Sequence, residues 1–143
     1  MTSEFMRDLL SKDEKITVEY KTCQFGIQED VYETVCSFSN RYGGYIIMGT
    51  EDDGTPIGVK QNMVKDMKRN FVNQLNNPDK MSPTLYLSIE DFEYEGKILL
   101  WVYVPPTATV EKCGNRIYDR NEDGDMDITD SPIQLQNMYN RKS

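Results

Sequence analysis

Residues 36–58, CSFSNRYGGYIIMGTEDDGTPIG, constrain the fold more than any other stretch of this 143-residue chain. The apolar spacing before them predicts a helix that ends near Asn40, and the glycine pair at 43–44 supplies the left-handed backbone that closes a helix. The apolar run 45–48 lies between glycines, which is typical of a strand buried on both faces. A glycine-rich and acidic turn over 49–54 follows.

The remaining elements follow from periodicity, capping residues and turn residues. Apolar side chains that recur at helical spacing, or alternate along a strand, predict helices at 3–10, 28–41, 64–75 and 131–141 and strands at 16–23, 85–94, 97–104 and 110–120. The two middle strands form a hairpin around Glu95-Gly96, and the second of them is apolar enough to be central. We therefore expect an α+β (mixed α/β) sandwich, in which helices pack on a mixed β-sheet.

Composition narrows the class of protein further. A chain of this length is most simply one domain, residues 1–143, which is long enough to bury a core and is also able to serve as the N-terminal module of a longer protein. The three cysteines are widely spaced, without a Cys-x-x-Cys pair, and no secretory signal or membrane-length apolar run is present. These features predict a cytoplasmic domain with no membrane partner.

The chain contains no histidine. This excludes histidine general bases, Ser-His-Asp and Cys-His catalysis, and zinc sites that need imidazole. Any chemistry must therefore come from carboxylates, together with lysine, tyrosine or a metal bound through oxygen.

Three motifs in order carry a resemblance to a known family. Val18-Glu19-Tyr20-Lys21, the segment Ser37-Phe38-Ser39-Asn40 with its following Gly-Gly and acidic turn, and Arg116-Ile117-Tyr118-Asp119-Arg120 span nearly the whole chain. The chain resembles the schlafen-type, Alba-like family of DNA-binding domains, whose members are also labelled RecG-related helicases or transcriptional regulators. One departure is serine on both sides of Phe38, where the family usually has alanine.

The resemblance implies a nucleic-acid-binding domain of a transcriptional regulator, with DNA or RNA as partner and with homodimers as a possible assembly. Phosphate contacts are expected at Lys21 and Arg120 from the matched motifs, and at Lys65, Lys68 and Arg69 from a local surplus of positive charge. The net charge of −8 opposes simple phosphate binding. The alternative is that the lysines merely solvate the outside of a helix.

The resemblance also implies a second function, that of a metal-dependent endoribonuclease. By motif position, Glu14, Glu19 and Asp52 stand where schlafen-type RNA endonucleases have catalytic carboxylates, and such oxygen ligands suit Mg²⁺ or Mn²⁺. The spacing of Glu14 and Glu19 requires Glu14 to lie in a loop or bulge if the two are to converge. In the alternative interpretation Glu14 is solvated, Glu19 pairs with a neighbouring lysine, and Asp52 shapes its turn.

An acidic segment near the C-terminus is close to an EF-hand calcium loop. Its candidate ligands are Asp119, Asn121, Asp123, Asp127 and Asp130, with glycine at the sixth position and aspartate where bidentate glutamate is usual. The alternative is an acidic turn, rich in Asp and Gly for conformational reasons alone. If calcium binds, the result is a calcium-stapled interaction domain.

No required cofactor is expected. Gly43, Gly44, Gly49 and Gly54 do not form a nucleotide-binding loop, because they close a helix and then a strand, and neither Gly-x-x-x-x-Gly-Lys-Ser/Thr nor Gly-x-Gly-x-x-Gly is present. ATP binding is therefore not expected. Tyr42, Tyr45 and Tyr118 are candidates for base stacking, whereas Trp101 is expected in the core.

Overall fold

The computed structural model describes residues 1–11 and 16–143, and it confirms the α+β class. The helices are α1 (Ser3–Leu10), α2 (Asp30–Asn40), α3 (Val64–Leu75) and α4 (Pro132–Lys142), with a 3₁₀ turn at Gln61–Met63. The strands are β1 (Val18–Lys21), β2 (Gly44–Met48), β3 (Met81–Ser82), β4 (Ile89–Tyr94), β5 (Lys97–Val104), β6 (Lys112–Cys113), β7 (Tyr118–Asn121) and β8 (Gly124–Asp127).

A four-stranded mixed sheet in the order β1-β2-β5-β4 organises the chain. β1 and β2 are parallel, with Glu19 opposite Ile46, and the other neighbours are antiparallel. The predicted hairpin forms between β4 and β5, and positive φ angles at Glu95 (52°) and Gly96 (75°) allow its two-residue turn. As predicted from its apolar sequence, β5 is an interior strand.

Helices cover the two faces of this sheet unequally. α2 and α3 pack on one face, where the largest cluster of buried side chains includes Val35, Phe38, Phe71, Leu100 and Val102. α1 packs on the other face through Met6 and Leu9. A third cluster joins α4 to the β7–β8 hairpin. The sheet is thus buried on both faces near β2, as the apolar run in that strand predicts.

The segment after α2 folds as predicted, although its two glycines serve different purposes. α2 ends at Asn40, and Gly43 has a φ of +75°, which supplies the left-handed exit. Gly44 lacks a positive φ and instead opens β2 at a crowded position. A Cβ there would lie 2.6 Å from the Thr17 carbonyl oxygen and 2.8 Å from the Phe38 ring. Gly44 therefore lets β2 approach β1 and α2 closely.

The single strand expected over 110–120 was wrong: it is divided into β6 and β7, because the chain turns at Gly114, whose φ is +60°. α1 is capped by Thr2, whose Oγ1 accepts a hydrogen bond from the Phe5 amide at 3.0 Å. Ser131 is the residue at the N-terminal cap of α4 but makes no side-chain cap hydrogen bond within the described residues. None of the helices in residues 1–11 and 16–143 is long and apolar enough to cross a membrane.

Candidate functional site

The parallel pairing of β1 and β2 brings the ends of both strands to the same edge of the sheet. Glu19 comes from β1, and Asp52 comes from the turn that follows β2. Both border one polar cleft of about 260 Å³, together with Lys21 and Asp30. Glu14, the other predicted carboxylate, lies outside the described residues. The structure therefore places two of the three predicted carboxylates at one cleft.

Glu19 forms an ion pair with a buried arginine, Arg120. The side chain of Glu19 is largely buried, and its Oε1 accepts a hydrogen bond from Nη1 of Arg120 at 2.9 Å. Arg120 is 1% exposed, and its guanidinium lies 4.7 Å from the centre of the Phe38 ring. Arg120 also donates to the Val18 carbonyl at 3.3 Å. Among residues 1–11 and 16–143, Glu19 is thus paired with a distant arginine and not with a neighbouring lysine.

Asp125 completes this interior network, and sequence reasoning missed it. Its Oδ1 accepts from Arg120 at 2.9 Å, while its carboxylate also accepts from the Thr34 hydroxyl at 2.6 Å and the Ser37 hydroxyl at 2.5 Å. Thr34 and Ser37 lie on the buried side of α2. Two hydroxyls three residues apart on the buried side of the helix were a signal that a polar partner packs there.

Lys21 lies at the mouth of the cleft and is paired as well. Its Nζ lies 2.9 Å from the carboxylate of Asp30, in the first turn of α2. Burial works against the charged form of Lys21, but the hydrogen bond to Asp30 and the charges of Glu19, Asp30 and Asp125 outweigh it. The pKa of Lys21 is therefore raised. The carboxylates that line the cleft or lie behind Glu19 are those of Glu19, Asp30, Asp52 and Asp125, and the cations there are Lys21 and Arg120. This excess of negative charge favours binding of a cation over binding of a free phosphate.

The predicted calcium segment folds as the β7–β8 hairpin, and four of its five ligand candidates have other partners. Asp119 is clasped by Arg41 at 3.0 and 2.7 Å and also lies 3.4 Å from Arg141. Asp127 and Asp130 both pair with Arg116, at 2.8 and 3.2 Å. Asn121 accepts from the Asp123 amide at 2.8 Å. Within residues 1–11 and 16–143, no three acidic, cysteine or histidine side chains are grouped to hold a metal ion.

The predicted phosphate contacts fall in three separate places. Lys65 and Lys68 border a groove of about 380 Å³ between α3 and the sheet, where Lys68 also pairs with Asp91. Arg69 is exposed on the same helix, 3.6 Å from Asp66. Lys21 lies in the carboxylate cleft, and Arg120 lies in the interior. A phosphate could reach Arg120 only by displacing Glu19 or Asp125.

Exposed aromatic side chains include one group beside α1 and one in the loop after β1. Phe5, Tyr45 and Tyr103 form a ladder beside α1, with ring centres 5.4 Å and 5.0 Å apart. Trp101 is only half-buried in this region, 6.2 Å from Tyr45, instead of lying fully in the core. The second region is a loop after β1, where Phe25 is 70% exposed and the Nζ of Lys60 lies 4.9 Å from its ring centre.

The mixed sheet, its flanking helices and the cleft beside β1 define a small α+β domain that is shared with known proteins. Residues 14–129 match the model of the family described as Schlafen, AlbA_2, and the chain belongs to that family. The match spans all three motifs that carry the resemblance in sequence, and the predicted membership is confirmed.

Two solved structures are similar to the chain. One is the solution structure of the N-terminal domain of a Nitrosomonas europaea protein described as related to the ATP-dependent DNA helicase RecG, with a TM-score of 0.58 and 26% identity, covering 73% of this chain and 72% of that one. The other is the DIP2311 protein of Corynebacterium diphtheriae, with a TM-score of 0.61 and 17% identity, covering 85% of this chain and 25% of that one. The second likeness concerns the fold alone. None of the curated proteins matches this sequence significantly.

Proposed function

We propose that this chain is a nucleic-acid-binding domain that acts in transcriptional regulation and contacts phosphates through the exposed side of α3. The observation that carries the proposal is the grouping of Lys65, Lys68 and Arg69 on one helix, beside a groove of about 380 Å³. Asp66 and Asp91 pair with Arg69 and Lys68, so the three cations leave a small surplus of positive charge on this helix in a chain of net charge −8. Lysine and arginine at such a surface release counterions from phosphates, which drives binding.

A similar domain of known structure supports the proposed nucleic-acid binding. The similar domain from Nitrosomonas europaea belongs to a protein described as related to a DNA helicase. Lys21 is paired with Asp30 in a cleft rich in carboxylates, so we place the phosphate contacts on α3 and not at Lys21. Arg120 is assigned a different role, because its side chain fixes Glu19 and Asp125 in the interior.

The test is fluorescence anisotropy of labelled DNA and RNA across a series of salt concentrations. The logarithm of the binding constant should fall linearly with the logarithm of the salt concentration, and Lys68→Glu should weaken binding to every sequence to a similar extent. A binding constant that salt does not change would contradict a phosphate interface.

A second candidate function, metal-dependent cleavage of RNA, is favoured by one observation. Glu19 and Asp52 border the same cleft although they come from different strands and turns. Their carboxylate oxygens fit a hard divalent cation such as Mg²⁺ or Mn²⁺, which would activate water there, and Glu14 is the third ligand proposed. In this role Arg120 orients Glu19 by holding one of its oxygens at 2.9 Å.

Asp52 offers a cleaner test of cleavage than Glu19, because Asp52 is exposed whereas Glu19 is part of the buried network. Structured RNA is incubated with Mn²⁺ and the wild-type chain, Asp52→Asn or the neighbouring exposed Glu51→Gln. Cleavage that Asp52→Asn abolishes and Glu51→Gln retains would establish the enzyme. Intact RNA in all reactions would leave binding as the function.

A further inference from the structure

The loop that joins β1 to α2 holds an aromatic side chain in solvent. Phe25 is 70% exposed, although its neighbours in the loop are anchored: Cys23 is buried, and Ile27 packs on the main core. The amide of Gly26 donates to the carbonyl of Cys23, and the φ of Cys23 is +45°. A cysteine rarely adopts this conformation, so the loop is built at some cost in backbone strain to present its tip.

Phe25 has a cation beside its ring, and its loop adjoins the carboxylate cleft. The Nζ of Lys60, which precedes the 3₁₀ turn and α3 in the sequence, lies 4.9 Å from the centre of the Phe25 ring. On its other side the loop forms a cavity of about 310 Å³, and this cavity shares Thr22 and Gln28 with the carboxylate cleft. The base of the loop is fixed, because the Gly49 amide donates to the carbonyls of Lys21 and Thr22 at 2.8 and 3.0 Å.

We infer that Phe25 is a stacking platform for an unpaired nucleobase, and that Lys60 takes the adjoining phosphate. This inference rests on the proposed nucleic-acid-binding function and specifies its substrate class as single-stranded or locally unpaired nucleic acid. An exposed aromatic ring beside a cation is the combination that single-strand binding proteins use, because every base has a face that stacks. A base inside a duplex is already stacked and cannot use the ring in this way.

The loop that carries Phe25 adjoins the cleft that Glu19 and Asp52 border, because the loop cavity and the cleft share Thr22 and Gln28. A strand whose base stacks on Phe25 would therefore pass beside the cleft. This holds whether the cleft cleaves the strand or only binds it.

The experiment compares Phe25→Ala with wild type by anisotropy, using a labelled 12-nucleotide single strand and a blunt duplex of the same sequence. Loss of one stacked base should weaken single-strand binding about 5-fold to 100-fold, leave duplex binding unchanged and leave the salt dependence unchanged. Lys60→Gln should instead reduce the slope of the salt dependence by about 1. Tyr139→Ala, an exposed aromatic on α4, is the matched control and should change nothing.

A second variant reports on stacking directly. Phe25→Trp keeps an exposed ring, so it should retain single-strand binding, and a stacked base should quench the added tryptophan fluorescence. Because the ring is in solvent, thermal unfolding of each Phe25 variant should match wild type, which separates stacking from loss of fold.

The other outcomes separate failure of the stacking platform from failure of the binding function. If wild type binds nucleic acid and Phe25→Ala binds single strands equally well, or weakens single strands and duplex alike, the stacking platform is refuted while the binding function stands. Binding of the duplex without binding of the single strand has the same meaning. If wild type binds no nucleic acid at all, both proposals fail.

Discussion

Glu19 and Arg120, which are 101 residues apart in the sequence, form an ion pair of 2.9 Å inside the protein. The pair joins the sheet to the β7–β8 hairpin, and Asp125 shares the same guanidinium. Glu19 belongs to β1 and Arg120 to the β7–β8 hairpin, so the pair fixes the hairpin against the sheet beside the cleft. Its burial makes it sensitive to the loss of any one member.

Replacing the arginine should be costly. Arg120→Met leaves Glu19 and Asp125 without their cation, so the free energy of unfolding should fall by about 3–5 kcal/mol, as measured by urea denaturation. Arg116→Met is the control, because Arg116 pairs with Asp127 and Asp130 through a side chain that is 44% exposed, and it should cost distinctly less. Equal losses in the two variants would contradict the structural role of Arg120.

The Ser37 hydroxyl should matter more than that of its neighbour. Ser37 donates to the partly buried carboxylate of Asp125 at 2.5 Å, whereas Ser39 donates to the Val35 carbonyl within its own helix at 2.8 Å. Ser37→Ala should therefore cost about 1–3 kcal/mol of unfolding free energy, and Ser39→Ala distinctly less. Chemical denaturation of both variants tests this, and a larger loss in Ser39→Ala would refute the network.

Stability should depend on pH through Glu111. The side chain of Glu111 is fully buried, and neither carboxylate oxygen has a hydrogen-bond partner among the described residues. Burial raises the pKa of Glu111 to about 8, although the charge of Lys142 acts in the opposite direction. In the unfolded chain the carboxyl ionises near its ordinary pKa of about 4.3. The folded state therefore holds the extra proton, and stability should fall as the pH rises from about 4 to about 8.

Unfolding of Glu111→Gln at pH 5, 6.5 and 8 tests this. In wild type the free energy of unfolding should decline over this pH range by an amount on the order of a few kcal/mol. Glu111→Gln should remove most of this decline, whereas Glu122→Gln, at an exposed position, should keep it. If Glu111→Gln declines as steeply as wild type, the carboxyl is not the titrating group.

Lys142 should make the stability of the fold rise with pH in the range above the pKa of its partly buried side chain. Burial lowers the pKa of Lys142 to about 8, while Glu111 partly offsets this. Between about pH 8 and the ordinary lysine pKa of about 10.4, the unfolded state binds more protons than the folded state, so stability should rise with pH. Lys142→Met should remove that rise. A rise that persists in the variant would contradict it.

Much of the fold could be predicted because its signals are local. The end of α2 at Asn40, the left-handed Gly43 and the turn at Glu95-Gly96 each follow from a few adjacent residues. The family resemblance depended on the same short motifs. It also placed Glu19 and Asp52 at one site, which the parallel pairing of β1 and β2 brings to one cleft.

The rest depended on contacts between residues far apart in sequence. Arg120 belongs to a residue type that is mostly exposed, and only the packing of β7 against α2 and β1 explains its burial. Asp125 lay inside a segment whose Asp and Gly content matched a calcium loop, and the hairpin register that aims it at α2 has no local signature. Local patterns therefore predicted the elements but not this interior network.

The central claim, phosphate binding through α3, is tested most directly by charge reversal at two exposed positions. Lys65→Glu and Arg7→Glu change the net charge equally, but Lys65 borders the groove on α3 whereas α1, which carries Arg7, packs on the opposite face of the sheet. Binding of labelled nucleic acid is measured from low to physiological salt. We predict that Lys65→Glu weakens binding about 10-fold and reduces the salt slope by about 1, while Arg7→Glu changes little. Equal effects of the two variants would contradict an interface on α3.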